Sequence, residues 1–354
     1  KERVLGIVCN PVMPGFMAPS LLWVKQNEPS IFRSVHVVLL PKDYIRLRLT
    51  GSLATDVSDA SATLLFDIMK RKWSDEIISN LGFQTELFPE ICESVEVTGE
   101  ICKEASEETS LPKGTKVVAG GGDSPVGAVG CGVMKPGIVS SNIGSAGQVF
   151  AVLDEMRVDP KFRIHTFCHA VSDKWCIQGA ILSAGLSLSW FAGTLRSEQS
   201  RSNDYVDPYE RLSREAESAE PGCNGLLFLP YLIGERSPHM DPSARGLFFG
   251  LTLSHKRAHM IRAVMEGVIY ALRDSLEVFK ELGVKVDRVI ARGGGARSAL
   301  WRQIQADVFN SQVMTAKVKE EAAFGAALLG GVGAGFYRDL EEAVKQTVGI
   351  KSII

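Results

Sequence analysis

The sequence has no long hydrophobic run, little net charge and no paired cysteine motif, and each absence excludes a class of protein. Its apolar stretches, such as Leu226–Leu232, are far shorter than the roughly 18 to 20 residues that a membrane-spanning helix needs. The 39 Lys and Arg residues nearly balance the 41 Asp and Glu residues, which gives a formal net charge of −2. This balance provides no basic surface for nucleic acid, so we expect neither a membrane nor a nucleic acid as partner.

The cysteines argue against a disulfide framework, because the chain is long, their number is odd and no Cys-x-x-Cys pair occurs. They favour a reducing, cytoplasmic location. Cys168 and His169 have side chains that can ligate a metal, but adjacent residues on a strand point to opposite faces. We therefore predict that these two residues belong to the core, and we predict no metal site. The seven cysteines are Cys9, Cys92, Cys102, Cys131, Cys168, Cys176 and Cys223.

The 354 residues, 45% of them apolar, are enough for about two domains with substantial cores. Pro and Gly punctuate residues 134–137, so we place the boundary there and predict a first domain over 1–135 and a second over 136–354. Strands followed by helix–strand–helix units predict an α/β fold. Three tryptophans on apolar helix faces are expected in the core: Trp23, Trp190 and Trp301.

The periodicity and the breaker residues predict the individual elements. Helices are predicted over 13–27, 44–49, 57–79, 258–282 and 299–309. Strands are predicted over 116–119, 137–143, 148–153, 175–181 and 288–292.

The most informative segment is Gly120-Gly121-Gly122-Asp123, which follows the short apolar strand at 116–119. Glycines let the backbone approach a ligand closely and adopt positive φ, so this turn can deliver one carboxylate to a substrate. Such a carboxylate can take a proton from a substrate hydroxyl. From the turn alone, a helix cap is an equally good interpretation of Asp123, because Asp is among the best N-cap residues.

Two further glycine turns are candidates for binding a nucleotide. Gly144, Ser145 and Gly147 can offer backbone N–H groups and a hydroxyl to phosphate oxygens, although alone this turn is typical of an ordinary hairpin. Its position just after the Asp123 turn favours the phosphate site. The turn at Gly293-Gly294-Gly295 is a poor match to the dinucleotide fingerprint, because Ser298 stands where the third glycine is required.

Taken together, these segments resemble the FGGY family of carbohydrate kinases, and most closely its xylulokinase branch. The stretches that carry the resemblance are 117–130, 141–150, 228–251, the 246–266 signature and 293–303. The matches cover nearly the whole chain, and the 228–251 stretch is highly specific. Ser124 replaces the Asn that is usual in the family, and Ser145 replaces the usual Thr.

The resemblance implies an actin-like, ribonuclease-H-like α/β sugar kinase fold, with an incomplete first domain and a complete second domain. It implies ATP-dependent phosphorylation of a ketopentose, D-xylulose, with Asp123 as general base and with Asp123 and Ser124 in contact with the sugar. Gly144, Ser145 and Gly147 would then bind phosphates, and Gly294, Gly295 and Ser298 the nucleoside. Mg²⁺ would bridge the nucleotide phosphates mostly through water, which requires few protein ligands.

The family's opening Asp-x-Gly-Thr phosphate segment and its Gln-Met-His-Gly sugar contact do not occur in this sequence. We therefore expect the chain as given to be impaired as a kinase and prone to self-association. The alternative function is a catalytically silent remnant that binds a nucleotide. A homodimer remains an open alternative to a monomer.

Overall fold

The computed structural model describes residues 2–194, 207–318 and 320–354, and within them the chain forms two compact parts. The first part contains the residues up to 135 together with 152–177 and 317–349. The second contains 136–151, 178–316 and 350–354. The chain passes from the first part to the second between Lys135 and Pro136. The predicted domains, 1–135 and 136–354, stay a prediction.

Helices and strands alternate along much of the described chain. The helices are α1 Glu2–Val8, α2 Met17–Asn27, α3 Pro29–Arg33, α4 Pro41–Thr50, α5 Val57–Ala60, α6 Asp75–Asn80, α7 Lys103–Thr109, α8 Asp123–Gly130, α9 Gly185–Thr194, α10 Pro208–Ala216, α11 Arg257–Glu281, α12 Ala299–Phe309, α13 Glu321–Ala334 and α14 Leu340–Thr347. The strands are β1 Ala54–Asp56, β2 Phe66–Asp67, β3 Lys72–Trp73, β4 Glu90–Cys92, β5 Val97–Glu100, β6 Lys116–Val118, β7 Gly137–Ile143, β8 Gly147–Leu153, β9 His165–Cys168, β10 Trp175–Ile181, β11 Leu227–Leu229, β12 Leu247–Phe249, β13 Val286–Arg292, β14 Gln312–Ala316 and β15 Ile350–Ile353.

A mixed sheet organises the second part, with the strand order β15-β14-β13-β7-β8-β10. Strand β13 runs parallel to both β7 and β14, whereas β7 and β8 form an antiparallel hairpin. Parallel neighbours end at the same edge of a sheet. The turn at 144–146 that follows β7 and the turn at 293–295 that follows β13 therefore lie side by side.

The long helix α11 packs against this sheet at β10, because a Cβ on Gly179 would lie 2.4 Å from the Cβ of Ser275, and the helix is buried along most of its length. Ile261, Val264, Met265, Val268, Ile269, Leu272, Leu276 and Phe279 recur at helical spacing and are all buried. Helix α11 also approaches β11 closely, because a Cβ on Gly267 would lie 2.1 Å from the carbonyl oxygen of Phe228. An alanine at Gly267 would thus separate the two elements.

Two helices cross at very short range in the first part. A Cβ on Gly130 of α8 would lie 1.9 Å from the carbonyl oxygen of Glu321, at the start of α13. A Cβ on Gly325 of α13 would lie 2.0 Å from the carbonyl oxygen of Val126, in α8. Around this contact Val126, Val129, Leu328 and Leu329 form a buried apolar cluster. Helix α8, which begins at Asp123, is therefore fixed rigidly against α13.

Most of the predicted elements are confirmed within a few residues, and the predicted helix over 57–79 is wrong. Asp56 caps only the single turn of α5, and Leu64 then adopts a left-handed φ of +63°. The chain continues into the β2–β3 hairpin before α6 begins. Most of the apolar side chains here are buried, whether they belong to α5, to the β2–β3 hairpin or to α6. Their spacing therefore does not distinguish one helix from several short elements.

The tryptophans differ from expectation, since only Trp301, at 4% exposure, lies in the core. Trp23 is 57% exposed and Trp190 is 40% exposed.

Cys168 and His169 are fully buried, as predicted, and burial lowers the pKa of His169 to about 3. Across residues 2–194, 207–318 and 320–354, the structure contains no helix with the length and apolarity to cross a membrane.

Candidate active site

Asp123 is the first residue of α8 and is exposed to solvent. The N-cap position belongs to Gly122, and Asp123 Oδ1 accepts a hydrogen bond from the N–H of its neighbour Ser124 at 2.7 Å. A carboxylate at a helix N-terminus is stabilised by the helix dipole. The structure thus places an exposed carboxylate directly after the glycine turn, with Ser124 half-buried beside it.

Charged side chains that the sequence did not single out lie under this turn. Lys42 Nζ lies 2.6 Å from Asp43 Oδ1, 2.9 Å from Asp56 Oδ1 and 3.7 Å from Asp59 Oδ2. Burial alone would lower the pKa of Lys42, but these three carboxylates raise it above its usual value. The ammonium group of Lys42 therefore stays charged and compensates the nearest carboxylates first.

Asp59 receives the least compensation from Lys42. The pKa of Asp59 is raised to about 6, mostly by burial. The attraction of Lys42 lowers this pKa, and the carboxylates of Asp56, Asp43 and Asp123 raise it. The carboxyl group of Asp59 thus changes charge in a pH range where ordinary aspartates are already ionised. No local motif marks this cluster. The sequence predicts only a helix over 44–49 and a helix over 57–79, and the second of these is wrong.

A cavity of about 810 Å³ opens in the second part. Its volume lies within the range of about 300 to 1,000 Å³ that is typical of small-molecule sites. Five of the six residues predicted to bind the nucleotide line this cavity: Gly144, Ser145, Gly294, Gly295 and Ser298. Residues that the sequence did not single out complete the wall, among them Gly185, Leu186, Tyr209, Ser213, Arg214, Arg297 and Trp301.

The turn between β7 and β8 forms one wall of the cavity. The carbonyl of Ser145 accepts the N–H groups of Ala184 at 2.9 Å and Leu186 at 3.1 Å, which seats the start of α9 against the turn. Gly147 does not line the cavity, because it is buried where a Cβ would lie 2.8 Å from Ile181 Cγ1. Packing therefore explains this glycine, and its assignment to phosphate binding stays a prediction.

The turn after β13 lines the cavity beside the turn between β7 and β8. A Cβ on Gly295 would lie 2.6 Å from the Cβ of Ile143, so only glycine fits against β7 there. At Gly294 the nearest atom would be 3.9 Å away, which leaves its backbone open. Ser298 caps α12 by accepting the N–H of Trp301 at 3.1 Å, and its hydroxyl accepts a hydrogen bond from Ser213 at 3.0 Å. The cavity wall is thus locally rigid.

Among the described residues there is no group of three or more His, Cys, Asp or Glu side chains that could hold a metal ion. The candidate site residues are one exposed carboxylate with its polar surroundings in the first part, and two glycine turns that line a cavity in the second.

Comparison with known proteins gives a consistent identification of both parts. Residues 1–130 match the family model "FGGY family of carbohydrate kinases, N-terminal domain", and residues 141–334 match the C-terminal domain of the same family. The chain is 39% identical over 347 residues to the xylulose kinase of Bacillus subtilis, and this match covers 98% of the chain and 68% of the relative. It is 41% identical over 307 residues to the xylulose kinase of Escherichia coli, covering 87% of the chain and 61% of that relative.

Among solved structures, a kinase from Brucella ovis described as a "xyloylose kinase" superposes with a TM-score of 0.91 at 34% identity. The match covers 100% of this chain and 71% of the other. The predicted actin-like, ribonuclease-H-like α/β fold is thereby confirmed, as is the resemblance to the FGGY family. The chain spans about two thirds of the length of these relatives.

Proposed function

This chain belongs to the FGGY family of carbohydrate kinases, and we propose that the protein phosphorylates a ketopentose, D-xylulose first of all, with ATP as phosphoryl donor. The observation that carries the proposal is the similarity to two xylulose kinases. One is 39% identical over 98% of this chain, and the other is 41% identical over 87% of it. The cavity lined by Gly294 and Gly295 supports it, since open backbone at a strand-to-helix turn suits a flat nucleoside.

In this proposal Asp123 is the general base. Its exposed carboxylate accepts the proton of the sugar hydroxyl while that hydroxyl oxygen attacks the γ-phosphorus and ADP leaves. Phosphoryl transfer needs little covalent help from the protein, so an oriented base and bound phosphates provide most of what the reaction requires. Ser124, beside the base, is proposed to contact the sugar.

Gly144 and Ser145 are proposed to hold the phosphates, and Gly294, Gly295 and Ser298 the nucleoside. A divalent cation such as Mg²⁺ would enter with the nucleotide and neutralise phosphate charge. Phosphate oxygens and water can supply most of its ligands, so the cation would need few protein ligands. We extend the proposal to a cytoplasmic location, because all seven cysteines are free.

A coupled assay of ADP release tests the activity, with ATP and either D-xylulose or one of its isomers D-ribulose and D-xylose. Because the chain as given is expected to be impaired as a kinase, we expect low turnover, and more of it with D-xylulose than with the two isomers. Turnover with another sugar alone would contradict the substrate assignment. Binding of ATP without turnover of any sugar would favour the alternative of a nucleotide-binding module. Sedimentation of the same sample determines whether the protein is a dimer.

A further inference from the structure

The glycine turn before Asp123 is held by two serines that share one buried carboxylate. Asp56, at the end of β1, has no exposed surface. Its Oδ2 accepts the hydroxyl of Ser58, in α5, and the hydroxyl of Ser94, after β4, at 3.0 Å. Its Oδ1 receives the ammonium group of Lys42 at 2.9 Å, which compensates the buried charge. Asp56 is thus the common anchor of two separate segments.

Each of these serines in turn holds the backbone of the turn. The hydroxyl oxygen of Ser58 accepts the N–H of Gly122 at 3.0 Å. The carbonyl oxygen of Ser94 accepts the N–H of Gly120 at 3.0 Å. A Cβ on Gly121 would lie 2.9 Å from Ser58 Oγ, so the glycine permits the close approach. The turn is therefore bound at both ends by groups that Asp56 orients.

The direction of the bonds explains why a carboxylate is needed. A serine hydroxyl has one proton, and Ser58 gives it to Asp56. Its lone pairs are then free to face the N–H of Gly122, the residue immediately before Asp123. Without the acceptor at Asp56, the Ser58 hydroxyl could rotate and leave that N–H unsatisfied at the first turn of α8.

We propose that Asp56 and Ser58 are positioning residues that hold the Gly120–Asp123 turn, and with it the Asp123 carboxylate, in the orientation for removing the sugar proton. The inference rests on the proposed function, in which Asp123 is the base. Both residues are buried, which leaves their side chains no surface for a substrate. Their effect reaches the reaction only through the backbone of Gly122, so it should change the rate of proton removal and leave nucleotide binding unaltered.

The test compares Ser58→Ala with Ser61→Ala in the full chain. Ser61 is a matched control, because it is also buried, donates to the carbonyl of Ser58 at 2.7 Å and accepts the N–H of Cys168 at 3.1 Å, but makes no bond to the turn. We expect Ser58→Ala to lower kcat about 10- to 100-fold at unchanged KM for ATP, and to speed amide hydrogen exchange over residues 119–123. Ser61→Ala should lower Tm comparably and change neither readout.

Asp56→Asn is the second variant, because it keeps the shape while replacing one acceptor oxygen by a donor. It should repeat the loss of kcat and the faster exchange at Gly122. Unchanged exchange and unchanged kcat in Ser58→Ala, or equal changes in Ser61→Ala, would overturn the positioning role. If the unaltered chain shows no turnover, the proposed function fails. Amide hydrogen exchange then tests the positioning role by itself. Faster exchange at Gly122 in Ser58→Ala but not in Ser61→Ala supports the role, and unchanged exchange in Ser58→Ala refutes it.

Discussion

The two glycine turns of this protein, at 120–122 and at 293–295, have nearly the same sequence pattern and different surroundings. Each follows a strand and precedes a helix. The first is held by hydrogen bonds, since Arg46 donates to the carbonyl of Ala119 at 2.7 Å and Ser58 accepts the N–H of Gly122. The second is held by apolar contact, with Gly295 packed on Ile143.

The difference follows from what each turn presents. A turn that presents a side chain must fix its orientation, and hydrogen bonds are directional. A turn that presents bare backbone has only to keep one face open, and close packing on the other face is sufficient. The pattern Gly-Gly-Gly therefore specifies close approach of the backbone, and the surrounding residues decide which chemistry uses it.

The comparison predicts the largest effect on kcat when the carboxylate presented by the first turn is removed. We expect Asp123→Asn to lower kcat for sugar phosphorylation by about 100- to 10,000-fold, because a general base contributes a factor of that size. ATP affinity, measured by calorimetry, should stay nearly unchanged. Asp75→Asn is the matched control, because Asp75 is also an exposed aspartate at the first position of a helix. Full turnover from Asp123→Asn would contradict the role of Asp123 as general base and leave it only a place at the start of a helix.

Local sequence was sufficient to find the two turns and the strands that lead to them. Gly, Pro and Asp act within a few residues, so Asp123, Gly294 and Gly295 could be singled out directly. The opposite wall of the cavity was not predictable in this way. Gly185 and Tyr209 line it together with Gly294, from positions far away in the sequence.

The polar network under the first turn was missed for a related reason. Asp56, Ser58 and Ser94 are brought together by tertiary structure, and a predicted helix over 57–79 concealed the single turn that Asp56 caps. Where most apolar side chains are buried in every element, their spacing does not correct such an error. The sequence thus predicts what the turns present, and only the fold shows what holds them.

The second prediction concerns a substitution that fills the space beside the backbone of the second turn. In Gly295→Leu the new side chain would collide with Ile143, move the turn and abolish ATP binding measured by calorimetry. Gly193→Leu is the control, because Gly193 is exposed in α9 and has open space at its Cβ. Unchanged affinity in Gly295→Leu would show that the nucleoside binds elsewhere.

The third prediction concerns the support of the first turn. Gly130→Ala would place a methyl group 1.9 Å from the carbonyl oxygen of Glu321, which must push α8 and α13 apart. We expect a loss of about 1–3 kcal/mol in the free energy of unfolding, measured with urea. Gly330→Ala, in α13, should instead gain up to about 1 kcal/mol, because its Cβ meets no atom and alanine favours the helix. Equal effects of the two variants would contradict the close crossing.

The smallest effect comes from the charge beside the first turn. Because burial raises the pKa of Asp59 to about 6 from 3.8, the folded protein binds more protons at this site than the unfolded chain between about pH 4 and 6. The contribution of Asp59 to stability is therefore favourable at low pH and is lost as the pH rises through 6. Asp59→Asn removes this titration, so at pH 7.5 we expect the variant to be more stable by on the order of 1 kcal/mol, discounted because the side chain is 26% exposed. At pH 4 the two proteins should have similar Tm values.

A variant that is less stable than the unaltered chain at pH 7.5 would show that the attraction between Lys42 and Asp59 outweighs the cost of burial. In that case the carboxylates around Asp123 would stabilise the turn by their charge, and the contrast with the apolar support of the second turn would be sharper.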